Sequence, residues 1–246
     1  MRLLNLFVLL IVFVSCKTIN VKEQSYKTSN SKIELGALGE AKSIADLKNN
    51  FTITAYPIIE EKIKLEVVIV PFTKKANKIY QSKGKFNQKQ SKINYVDSLP
   101  VKPEMVSIKI SDIASLVDDL NSSANTKELN FIKNNERTTI VTSVLVVLNN
   151  TEIEKLRNAD TYYLVQSDIA KHTIALYKQG KKIDTIDIST ATIIGYTIGK
   201  FCWFENDRGK WQIGDIVQKG NSCKGNTYKK VKLAHNKSEF NYYSLH

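Results

Sequence analysis

From residue 160 to about 233, apolar and polar residues alternate with a period of two, segment after segment, with short turns between. A β-strand has this period because successive side chains point to opposite faces of the sheet. Strands are expected at 162–166, 172–178, 183–188, 193–204 and 211–217, with turns at 167–171, 179–181 and 205–210 and a last strand at 228–233. Consecutive strands with tight turns require antiparallel neighbours, since a parallel pair needs a long crossover. This excludes a βαβ architecture for the second half of the chain.

The first half mixes periods. Residues 138–148, TTIVTSVLVVL, are the most hydrophobic internal segment, and their β-branched content predicts a central strand buried on both faces. Residues 51–57, 62–71 and 105–110 also read as strands. Helical spacing predicts short helices over 111–120, capped by Ser111, over 126–133, and over 151–158, where Thr151 and Glu154 have capping-box spacing. A short helix at 35–47 is weakened by Gly36 and Gly39. Residues 72–103 are lysine-rich and broken, with strand-like pieces near 78–81 and 92–96. The expected class is α+β, a predominantly antiparallel sheet with two or three short helices. One domain over 35–246 is expected, with two lobes at 51–120 and 138–246 as the alternative division.

The N-terminus constrains location. Arg2 precedes an apolar run from Leu3 to Val14, shorter than the roughly 20 residues a membrane-crossing helix needs and of the size of a signal core. The run ends in Phe13-Val14-Ser15-Cys16, which resembles a lipobox, and the Phe in its first position resembles precursors of the Bacteroidota. The resemblance implies that residues 1–15 are removed as a signal peptide and that Cys16 carries the lipid through a thioether. Two or three acyl chains hold a protein at a membrane far better than one. Residues 16–34 are polar and aperiodic and read as a flexible tether. Lys17 stands where an Asp would signal retention in the inner membrane, so the resemblance implies the outer membrane. The lack of an acidic run after Cys16 favours its periplasmic face.

Composition narrows the partners. The 36 Lys and Arg outnumber the 24 Asp and Glu, a formal charge of +12. An excess of this kind favours acidic partners such as lipid headgroups or envelope polymers. Only four of the 36 are Arg (Arg2, Arg137, Arg157 and Arg208), and Arg is the residue that makes bidentate contacts to phosphates and bases. Their scarcity argues against a specific nucleic-acid reader, and the Lys excess also fits the coding bias of an AT-rich genome.

His172, His235 and His246 form no HExxH and sit beside no Cys, and His172 shares strand parity with Ile174 and Leu176, as a packed histidine would. Gly195 and Gly199-Lys200 lack the spacing and the hydroxyl of a phosphate loop. Glu205 and Asp207 read as turn residues, with a calcium or sugar contact as the alternative. No catalytic residue, metal ligand or cofactor is assigned. Cys202 and Cys223 form an even pair suited to a disulfide in an oxidising compartment, with two separate buried thiols as the alternative. Around them Trp203, Phe204, Arg208 and Trp211 form either a binding turn or a hairpin pinned by aromatic packing. Asp97-Ser98-Leu99 resembles the O-glycosylation acceptor motif of Bacteroidota, with Ser98 as acceptor; Asp184-Thr185-Ile186 is a second match.

The leading expectation is a non-catalytic accessory or scaffold lipoprotein that binds an envelope protein assembly. An immunity or inhibitor lipoprotein and a binder of envelope glycans or polyanions are the alternatives.

Overall fold

The computed structural model describes residues 18–41, 51–84, 93–98, 100–167, 172–218 and 220–231. The expected signal segment and Cys16 lie outside these residues.

Among the described residues, twelve strands form one sheet. Its centre is β7 (Thr139–Val147), the apolar segment that the sequence marks as central, and all nine of its residues are buried. Ile140, Val144 and Val146 face the larger core, whereas Leu145 and Val147 face a smaller one on the opposite side of the sheet. On one side β7 pairs with β11 (Thr192–Glu205), on the other with β6 (Glu104–Ile110). The sheet continues through β5 (Ile63–Pro71), β8 (Thr161–Gln166), β9 (His172–Lys178) and β10 (Lys181–Ile186), every pair antiparallel. β12 (Trp211–Gln218) forms a hairpin with β11, while β3 (Leu38–Ala41) pairs with β4 (Phe51–Ala55) and with β7.

The class is therefore α+β with a mostly antiparallel sheet, but with four α-helices among the described residues rather than two or three. The unexpected one is α1 (Lys74–Lys83), in a stretch read as broken strand pieces. Its buried positions are Ala76, Tyr80 and Lys83, an i, i+4, i+7 stripe whose third member is a lysine. Thr73 caps it, accepting a hydrogen bond from the Ala76 amide at 3.0 Å. α1 closes the smaller core, where Phe72 and Tyr80 meet edge to face.

The other helices, α2 (Ile113–Asn121), α3 (Thr126–Asn134) and α4 (Asn150–Asn158), lie close to the expected ranges. Their caps differ from expectation. Asp112, not Ser111, accepts from the Ser115 amide. The capping box of α4 is Asn149 with Glu152, whose side chains each accept from the other's backbone N–H at 2.8 and 3.1 Å.

Three further expectations are corrected. Residues 18–27, read as tether, form a hairpin of β1 (Thr18–Val21) and β2 (Gln24–Lys27), with Ile19, Val21 and Tyr26 buried. Three apolar residues in a polar stretch carry little local signal, and their partners lie far along the chain: Lys27 pairs with Tyr196 of β11. Within the helix considered at 35–47, Leu35 and Gly36 form a turn and Leu38–Ala41 is a strand, and residues 42–47 lie outside the described ones. Gly39 is needed there because a Cβ would meet the Thr52 carbonyl oxygen at 2.3 Å. A division into two lobes does not describe this sheet, since β5 and β6 of the first half sit between β7 and β8 of the second.

Candidate functional site

Two open clefts adjoin the β1–β2 hairpin. One, of about 740 Å³, is lined by β1, β2, β5, β6 and β11. Its charges are mixed: Lys22, Lys27 and Lys109 against Glu23 and Glu66, with Lys109 and Glu66 paired at 3.8 Å. Beneath the hairpin, the Tyr26 hydroxyl lies 2.6 Å from Ser107 Oγ and 3.0 Å from Ser143 Oγ, joining β2 to β6 and β7 in a buried polar network. Tyr196 lines the same cleft, and burial pushes its phenol up to about 12.

The second cleft, of about 860 Å³, differs in charge. Lys27, Lys133, Arg137, Lys200, Lys229 and Lys230 line it, and Glu136 is the one acid among its lining residues. Six to one departs clearly from the 36 to 24 of the whole chain, so this cleft concentrates the excess. Glu136 pairs with Lys230, and Glu40 nearby lies 3.7 Å from Arg137, which still leaves positive charge dominant. A concavity lined by one sign of charge between low-dielectric walls focuses its field and raises the local concentration of anions.

Each side of this cleft has its own support. Lys200 leaves β11 on its exposed face, between Gly199 and Phe201. Gly199 is required for packing, since a Cβ would meet Ile216 Cγ2 at 2.3 Å and Thr142 Cγ2 at 2.9 Å. Gly195 likewise lies against Tyr26, so both glycines of the supposed phosphate loop serve strand packing. Lys133 and Arg137 come from the end of α3 and the turn after it. Lys229 and Lys230 lie on the segment 220–231, which is fastened to β11 at two points. Cys202 and Cys223 form a disulfide, and Trp203 and Tyr228 exchange two backbone hydrogen bonds of 2.7 Å.

The structure places the sequence-marked residues unevenly. Trp203 is buried and lines the basic cleft beside Phe201 and Cys223. Phe204 and Trp211 are half-buried on the β11–β12 hairpin, and Arg208 is exposed in its turn; none of the three lines either cleft. That turn is organised by Asn206, whose Oδ1 accepts from the Arg208 and Lys210 amides at 3.1 and 3.0 Å. Glu205 and Asp207 are exposed there. Ser98 is exposed in a turn where Tyr95 donates to Asp97 at 2.6 Å. Thr185 lies within β10, and its neighbour Asp184 pairs with Lys155 at 2.9 Å.

His172 is buried and lines neither cleft. Its Nδ1 and Nε2 lie 3.0 Å from the carbonyl oxygens of Leu35 and Pro57, so the ring ties two loops to β9. Among the described residues, no cluster of His, Cys, Asp and Glu could hold a metal ion, and no helix is long and apolar enough to cross a membrane.

Sequence reasoning missed the basic cleft because its six cations come from four separate stretches of chain. Lys229-Lys230 is the one adjacent pair among them. No family model, curated protein or solved structure matches the chain.

Proposed function

We propose that this protein is a lipid-anchored, non-catalytic envelope protein that binds an anionic ligand in the cleft between α3, β11 and the disulfide-fastened segment 220–231. The observation that carries this reading is the lining of that cleft, six cations with one carboxylate. The resemblance of Phe13-Val14-Ser15-Cys16 to a lipobox supports an anchor on Cys16 at a membrane of the envelope, with the periplasmic face of the outer membrane as the expected side. An accessory subunit for a protein assembly, the leading expectation from sequence, has weaker support. Among the described residues the exposed large hydrophobics are Tyr56, Ile58, Val96, Val101, Phe131 and Ile183, and none of them lines either cleft.

The test is retention of the full chain on immobilised polyphosphate over a salt gradient, comparing two double variants of equal net charge. Lys200→Glu/Lys229→Glu alters the cleft, and Lys181→Glu/Lys182→Glu alters the edge strand β10. The cleft variant is expected to elute at clearly lower salt than the edge variant. Equal losses would show that net charge alone drives binding, and the cleft would then not be the site.

A further inference from the structure

The hairpin that replaces the expected tether brings the anchor close to the body. Thr18 is the first residue of β1, two residues after Cys16. Two residues span at most about 7 Å in any conformation. Thr18 lines the mixed-charge cleft and pairs directly with Lys27 on β2, and Lys27 lines both that cleft and the basic one. A lipid on Cys16 therefore enters its leaflet within a few residue lengths of the rim of that cleft. The domain cannot stand away from the membrane at this corner, because the hairpin is held to β11 by the Lys27–Tyr196 pairing and by Tyr26 in the smaller core.

We infer that the basic cleft takes the headgroup of an anionic phospholipid from the leaflet that holds the lipid on Cys16. The inference rests on the anion-binding reading above and deepens it by naming the source of the anion. Charge complementarity and the short reach from Cys16 to Thr18 point to the same occupant. Lys133, Lys200, Lys229 and Lys230 then lie at headgroup depth. A cation near an anionic membrane surface contributes about fivefold to binding, so several in one cleft select strongly for net negative headgroups. The same cleft on a long tether would sample free anions in the periplasm instead. On this short link it meets lipid first.

The experiment uses the full chain in its lipidated form, its Cys16 acylation checked by mass. The protein is reconstituted into vesicles of phosphatidylcholine alone or of phosphatidylcholine with phosphatidylglycerol. Amide hydrogen exchange is followed in the segments 133–138 and 220–231, which both contribute to the lining of the cleft. Slower exchange of both segments on phosphatidylglycerol vesicles only, abolished by Lys200→Glu/Lys229→Glu but not by Lys181→Glu/Lys182→Glu, supports the inference. Equal exchange on both kinds of vesicle overturns it. If soluble polyphosphate protects these segments and phosphatidylglycerol does not, the cleft is an anion site whose ligand is not lipid, and the inference fails while the proposed function stands. If neither protects, both fail.

Discussion

Asn125 grips Ile58 as a neighbouring strand would: its Oδ1 accepts from the Ile58 amide at 2.7 Å and its Nδ2 donates to the Ile58 carbonyl at 2.8 Å. The same Nδ2 also donates to the Asp119 carbonyl at 2.9 Å, and the side chain is fully buried. Four residues earlier Asn121 does the same to β12, accepting from the Ile213 amide at 2.9 Å and donating to its carbonyl at 2.8 Å. Asn121 is the last residue of α2 and Asn125 ends the short turn of helix after it, so α2 is fixed to the body by side-chain amides as well as by Leu116 and Leu120. Replacing Asn125 by Asp keeps the shape but removes both donated bonds and sets a carboxylate against two carbonyl oxygens. A loss of about 2–4 kcal/mol is expected for Asn125→Asp in urea unfolding at pH 7. A change under 0.5 kcal/mol would mean that water replaces the amide.

Lys83 is buried, and its ammonium donates to the Ser29 carbonyl. Desolvation holds its pKa at about 8 instead of 10.5. Between those values the unfolded chain binds more protons than the folded one, so this residue makes stability rise with pH across that interval. Below pH 8 the buried charge opposes folding by about 3 kcal/mol, partly offset by the bond to Ser29. Lys83→Met is therefore expected to raise the midpoint of urea unfolding at pH 7, with the advantage shrinking toward pH 10.5. A gain that does not vary with pH would assign the effect to packing alone.

The Cys202–Cys223 disulfide closes a loop with a sequence separation of 21 residues, for which the chain-entropy account gives about 3 kcal/mol. The Cys202→Ala/Cys223→Ala variant is expected to lose about that much stability in thermal unfolding. Because Lys229 and Lys230 lie on the segment that the disulfide fastens, it is also expected to elute from polyphosphate at lower salt while still folded. Unchanged retention would mean that the Trp203–Tyr228 pairing is enough to hold the segment.

Gly36 and His172 form a third joint. Gly36 has φ of +78°, and a Cβ there would meet His172 Nδ1 at 3.0 Å. Gly36→Ala is expected to cost about 1–3 kcal/mol through left-handed strain and displacement of the ring. His172→Leu removes the ring nitrogens from the carbonyls of Leu35 and Pro57 and is expected to cost about 2 kcal/mol or more. Differential scanning calorimetry reads both, and two neutral variants would show that the loops are held in other ways.

The sequence disclosed those parts of the fold whose signal is local. β7 stood out because both its faces are buried, which leaves an unbroken β-branched run. β8, β9 and β10 could be read because each pairs with the next across a short turn. The β1–β2 hairpin could not, since Ile19, Val21 and Tyr26 find their neighbours in a core assembled from distant residues. α1 was hidden because its apolar stripe ends on Lys83, a residue whose burial no composition rule anticipates. The cleft was least legible of all: Lys27, the stretch with Lys133 and Arg137, Lys200, and the pair Lys229-Lys230 are remote from one another in sequence, and the fold is what brings them together.

The hairpin at the start of the fold has a consequence in time. Gln24 of β2 hydrogen-bonds to Thr197 of β11 across 173 positions. At typical synthesis rates of 5–20 residues per second, the strand that receives the hairpin emerges about ten seconds or more after it. An isolated two-stranded hairpin is marginally stable in water, so until then β1 and β2 have nothing to fold against. Contacts this distant make for slow folding. The corner nearest Cys16 is therefore one of the last parts of the sheet to close, and some 173 further residues are made before the hairpin finds a place.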